Sequence, residues 1–195
     1  KIIKKQKYDV IHCFNQFDSD IFLKRAYKVG VKNRICRSGG CYKKTNFIKD
    51  FKRNCKRKRI LKYSTELTGV SEDSCRTFYG DKANYLVINN PSNENIKFNE
   101  SKPQVLTLLQ IGIFSWNKNQ IFTLDVVNEL KKLCDCKLIF IGNDSPDYLI
   151  EKINEKQVDG LVTIFPSQYD KNEAFSSSSY LIFPSIFESF GNVLI

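Results

Sequence analysis

The chain has 195 residues, is 42% hydrophobic and carries a formal net charge of +10. That length allows one or two domains with an apolar core of their own. No run of about 18 apolar residues occurs, which argues against a membrane-spanning helix, and the basic opening KIIKKQKYDVIHC is no secretory signal, since its apolar stretch is only Val10–Cys13.

The charge is unevenly placed. Residues 1–62 hold 20 Lys and Arg against 4 Asp and Glu, whereas residues 63–195 hold 11 against 17. An anionic partner of the first part is therefore expected, and nucleic acid, anionic lipid and a phosphorylated substrate all satisfy the electrostatics. The seven cysteines are odd in number and match no disulfide framework, and Cys134–Cys136 lacks the second pair a zinc site needs. They read as free thiols of a reducing compartment, which makes a cytoplasmic location the expectation. Methionine is absent, and the last residues, GNVLI, stop inside a motif. Both domains are accordingly expected to be truncated.

In chain order, Tyr8–Phe14 reads as a strand, Ile21–Val29 as a helix stopped by Gly30, and Asn33–Cys36 as a second strand. Asn46–Lys62 is a basic helix with Phe47, Ile48, Phe51 and Cys55 along one face. Thr68–Ser71 is strand-like. Ser71 is the expected N-cap of the next helix, with Glu72 and Asp73 at its positive end. Tyr85–Asn89 is a further strand, and residues 92–103 are polar and without period, with the linker itself placed at 99–103.

The second part alternates more clearly. Strands are expected at Val105–Ile111, Lys137–Ile141, Leu161–Phe165 and Tyr180–Phe183. Helices are expected at Lys118–Leu133, Pro146–Gln157 and Asp170–Ser177. Apolar strands separated by helices predict parallel sheets covered on both faces. The fold class is therefore α/β, with Rossmann-like domains at 1–98 and 104–195. Ligands in such sheets sit beyond the carboxyl ends of the strands.

Three segments after those ends stand out: IGIFSWNKNQ at 111–120, FIGN at 140–143 and FPSIFESFGNVLI at 183–195. Together with YDVIHCF, TGVSED and VINNP in the first part, they resemble the group 1 glycosyltransferases (glycosyltransferase family 4), an enzyme family with the two-domain GT-B fold. The segment 183–191 carries most of the specificity.

The resemblance implies a retaining transfer of a sugar from a nucleotide-diphosphate donor to a glycan or lipid-linked acceptor. It implies no metal and no cofactor beyond that donor. Lys118 matches the family's diphosphate-binding lysine, beside the loop glycine Gly112. Glu188 matches the first glutamate of the family's paired-glutamate motif, which contacts hydroxyls of the transferred sugar. The peptide groups of Phe190, Gly191 and Asn192 would donate to sugar and phosphate, while Gly142, Pro166 and Ser167 line the nucleoside pocket. The second glutamate would follow Ile195, so the chain alone is expected to be inactive. The acceptor is expected against the first domain, where His12 stands at a strand end.

Two departures matter. The family's arginine after the loop glycine is Ile113 here, and a histidine-bearing segment after the second strand is replaced by RICRSGG. The basic helix 46–62 suggests contact with an anionic membrane. A nucleic-acid module is disfavoured because no recognition motif accompanies the charge. A GT-B nucleotide-sugar epimerase is the alternative that keeps the fold and changes the reaction.

Overall fold

The computed structural model describes residues 7–14, 16–91, 103–143 and 147–194. Most of the linker expected at 99–103, Pro146 at the start of a helix, and Ile195 lie outside the described residues. The chain divides into two units, one of Lys1–Pro91 with Glu188–Asn192, the other of Ser92–Phe187 with Val193–Ile195.

The first unit holds β1 (Val10–Cys13), α1 (Ser19–Lys28), β2 (Asn33–Ser38), α2 (Phe47–Tyr63), β3 (Glu66–Gly69), α3 (Glu72–Tyr79) and β4 (Leu86–Val87). Its four strands form one parallel sheet in sequential order. The turn after α1 is closed by Gly30, whose φ of +82° suits a residue without Cβ. There the amide of Val31 donates to the Ala26 carbonyl at 3.0 Å. Ser71 caps α3 as its sequence implies, accepting from the Ser74 amide at 3.2 Å. Leu23, Cys36, Ile60, Cys75, Phe78 and Tyr79 build the core of this unit.

Helix α2 is attached differently. Ile60 is its only buried residue, and Phe47, Ile48 and Phe51 face solvent. Polar contacts hold it instead. Arg59 pairs with the buried Asp20 at 2.5 Å, Lys56 pairs with Asp18, and Arg57 donates to the carbonyls of Phe78 at 2.6 Å and Thr77 at 2.8 Å.

The second unit holds β5 (Leu106–Ile111), α4 (Gln120–Leu130), β6 (Cys136–Gly142), α5 (Asp147–Glu155), β7 (Val162–Pro166), α6 (Lys171–Ser176) and β8 (Tyr180–Leu181). The strands are all parallel, in the order β7-β6-β5-β8. Successive side chains of β5 enter opposite cores, Leu108 beside Leu124, Val127 and Leu149, and Leu109 beside Ala174. Both faces are thus covered, which explains why the strands carry no polar alternation.

This strand order fixes where a ligand can sit. The chain runs from β5 outward through β6 and β7, then returns to place β8 on the other side of β5. The reversal opens a crevice at the carboxyl ends of β5 and β8.

Candidate functional site

The loops at that reversal are 112–119 after β5 and 182–187 after β8, and they are tied together. The Ile186 amide donates to the Asn117 carbonyl at 2.9 Å, and Asn117 Nδ2 donates to the Phe187 carbonyl at 2.9 Å. Asn119 Nδ2 reaches the Pro184 carbonyl at 3.4 Å.

Lys118 does not begin the long helix, contrary to the expected span from Lys118. It closes a separate 3-10 turn, Trp116–Lys118, and Asn119 then adopts the left-handed conformation at φ 55°, so that α4 starts at Gln120. Asparagine tolerates that conformation better than most residues. The half-buried Lys118 side chain folds back over Gly112, its carbons 3.4 Å from where a Cβ would stand. Its ammonium lies 5.7 Å from the centre of the Phe183 ring. The gathering of Gly112, Lys118 and the 183–187 segment is therefore a property of the second unit alone.

Buried polar residues hold this loop, and the sequence reading missed them. Gln110 in β5 donates to the Lys118 carbonyl at 2.7 Å and accepts from Thr123 Oγ1 at 2.7 Å. Gln120 donates to the Ile113 carbonyl at 3.1 Å. All three side chains are buried. A glutamine among apolar strand residues was the available signal, since a buried amide needs partners. Asn143 Oδ1 in turn accepts from the Phe114 amide at 2.8 Å. Gly142 has a packing reason as well: a Cβ there would lie 2.6 Å from the Gly112 carbonyl oxygen. Pro166 ends β7, and with Ser167 it is exposed at the same carboxyl edge of the sheet.

Glu188, Ser189, Phe190, Gly191 and Asn192 belong to the first unit. Ser189 Oγ accepts from the Cys41 amide at 3.0 Å, the Cys41 thiol donates to the Glu188 carbonyl at 3.7 Å, and Asn90 Nδ2 donates to Asn192 Oδ1 at 2.8 Å. Gly191 has φ +75°, open to glycine and strained for a side-chain-bearing residue. Nothing in the residue pattern of 183–195 signalled that this stretch divides between the two units.

His12 stands exposed on β1, its ring tilted 37° against that of Phe14 at 4.2 Å between ring centres. Partial burial and, secondarily, the Arg37 guanidinium lower its pKa. All seven cysteines are free thiols.

A parallel Rossmann-type sheet with tied loops at its strand-order reversal defines the class as an open α/β protein, in which ligands sit at that reversal. Residues 91–195, more than half of the chain, match the family model described as glycosyl transferases group 1. The chain belongs to that family. It is 26% identical over 207 residues to the capsular polysaccharide biosynthesis glycosyltransferase CapH of Staphylococcus aureus, covering 100% of this chain and 58% of CapH. Its fold is similar to Anabaena Alr3699/HepE, crystallised with UDP and glucose, at TM-score 0.75 and 15% identity over 95% of this chain. A glycosyltransferase from Rickettsia africae matches at TM-score 0.68 and 19% identity over 98% of this chain. The architecture is the GT-B fold. The chain spans 58% of CapH and 55% of each of these two structures.

Proposed function

We propose that the chain carries the nucleotide-sugar machinery of a retaining glycosyltransferase, which moves a sugar from a nucleotide-diphosphate donor to a glycan or lipid-linked acceptor. The observation that carries this is Lys118, anchored at the strand-order reversal on a loop tied to the segment after β8.

Breaking a bond between sugar and phosphate builds negative charge on the departing phosphate oxygen. A cation and aligned amides held in place beforehand stabilise that charge without reorganising. Lys118 supplies the cation, and the amides of residues 113 and 115–117 supply donors, those of Gly112, Phe114 and Lys118 being engaged within the protein. Gly112 opens the loop that carries Lys118, and Gly142, Pro166 and Ser167 flank the nucleoside. In this proposal Glu188 accepts from sugar hydroxyls, and the amides of Phe190, Gly191 and Asn192 donate to the sugar and phosphate. The donor is the only co-substrate the reading needs.

The family and CapH are both transferases, which favours transfer over epimerisation. HepE was crystallised with UDP and glucose, which makes UDP the natural first probe. The role CapH has in capsular polysaccharide biosynthesis supports a growing glycan as the acceptor class.

Calorimetric titration of the chain with UDP, GDP and ADP tests the donor side. Binding of at least one is expected, weakened roughly tenfold by Lys118→Ala through loss of one charge-assisted contact. Failure of all three, or equal affinity in the variant, refutes the assignment. Retention is tested separately, by the anomeric configuration of the product that the full-length enzyme makes.

A further inference from the structure

Several cations of the first unit border one groove. A groove of about 320 Å³ is bordered by Phe17, Tyr42 and, from α2, Lys49, Lys52, Arg53 and Lys56. An adjoining hollow of about 300 Å³ shares Phe17, Tyr42 and Arg53 and adds Lys43, Lys44, Arg57 and Arg76 with the carboxylates of Asp50 and Asp81.

Position singles this groove out. Phe17 lies in the turn that follows β1, and Tyr42 in the loop that follows β2. The groove therefore opens beyond the carboxyl ends of two adjacent parallel strands, where open α/β sheets take their ligands.

Charge singles it out again. Asp18 and Asp50 neutralise part of the rim, through Lys56 and, at 3.5 Å, through Arg53. Lys49 and Lys52 form no ion pair among the described residues. Lys49 is three residues before Lys52 and four before Arg53, and Lys52 is four before Lys56. Like charges at those spacings repel on one helix face. An anion in the groove would relieve that repulsion beyond what Asp18 and Asp50 already do.

The wall is rigid. Tyr42 packs its ring against Phe17 at 4.9 Å and Phe78 at 5.2 Å between centres. Burial pushes its phenol up to about 12, so it presents no negative charge that would oppose an anion.

We propose that this groove binds a phosphate or diphosphate ester, and that the acceptor of the transfer reaction is therefore a phosphorylated molecule. The acceptor role rests on the transferase reading above, whereas the anion site stands on its own.

The test uses the chain carrying Lys118→Ala, which removes the donor-side cation. It is titrated at 150 mM salt with inorganic diphosphate and with farnesyl diphosphate. The pair Lys49→Gln and Lys52→Gln is compared with Lys24→Gln and Lys28→Gln on α1, an equal loss of charge elsewhere on the same unit. The groove pair should weaken diphosphate binding roughly tenfold and the α1 pair less than twofold, because only the former stand at contact distance. Tighter binding of farnesyl diphosphate would assign a lipid-linked ester, and equal affinity an unlipidated one; either supports the site. No binding of diphosphate, or equal losses in the two pairs, overturns it. If nucleoside diphosphates fail to bind while this groove still binds diphosphate, the donor reading falls and the anion site remains.

Discussion

Position 113 carries isoleucine where members of the resembled family often carry arginine. The side chain is 59% exposed, and only its backbone carbonyl is used, by Gln120. Nothing there opposes a longer side chain. Ile113→Arg should tighten nucleoside diphosphate binding about fivefold, because a guanidinium beside the phosphate adds a bidentate, charge-assisted contact. An unchanged Kd, with the fold intact, would mean that the diphosphate does not lie beside this loop. The residue scale is also where the sequence was most and least informative. Lys118, Gly112 and Gly142 stood out through the resemblance of their segments to the family, not through any local pattern of their own. Gln110, Gln120 and Thr123 did not, because a polar residue inside an apolar run has no period of its own. Only coordinates reveal that Gln110 joins the Lys118 carbonyl to Thr123.

Elements were legible where apolar content decides them. The long strands β5 and β6 and the helices packed on them follow from runs and periods that the hydrophobic effect makes obligatory. The short strands were over-extended: Tyr85–Asn89 shrinks to Leu86–Val87, and Tyr180–Phe183 to Tyr180–Leu181. At β8 the pairing is extended by Ser179, whose Oγ accepts from the Thr107 amide at 3.0 Å and whose amide donates to the Thr107 carbonyl at 2.7 Å. The serine run at 176–179 gave no hint of that register. Helix α2 is the clearest case of an element whose existence was legible and whose attachment was not. With Ile60 alone buried, its position depends on Arg59 and the Asp20 carboxylate, which is 1% exposed. Arg59→Ala removes the charge partner and leaves that carboxylate buried without compensation. Such a loss costs about 3 kcal/mol or more. A comparable fall in unfolding free energy is expected in urea, with the midpoint shifted and the slope unchanged. Arg59→Lys should recover part of it. A midpoint that stays put in Arg59→Ala would show that the pair does not hold α2.

Across the whole chain, charge and exposed apolar surface coincide at one element. The first 62 residues carry most of the positive charge, and α2 is their densest stretch. The same helix leaves Phe47 85%, Ile48 66% and Phe51 61% exposed. No helix of the described residues is long and apolar enough to cross a membrane. Lysines interleaved with exposed aromatic residues are the composition of a helix that lies in a bilayer interface. We propose that α2 docks the chain on an anionic membrane, the surface on which a lipid-linked acceptor would be presented. Electrostatics and burial contribute separately and can be separated by experiment. Each Lys or Arg near an anionic leaflet adds about 1 kcal/mol, which salt screens. Burying part of two phenylalanine rings adds a contribution that salt leaves intact. Vesicles of phosphatidylcholine with 30% phosphatidylglycerol (about one anionic lipid in three) should therefore bind the chain, and neutral vesicles should not. Phe47→Ser with Phe51→Ser should reduce the partition coefficient roughly tenfold at 150 mM salt while leaving the charge untouched. If the double variant binds as the parent does, the exposed rings play no part and attraction is electrostatic only. If anionic and neutral vesicles bind equally, the cations of α2 play no part in docking.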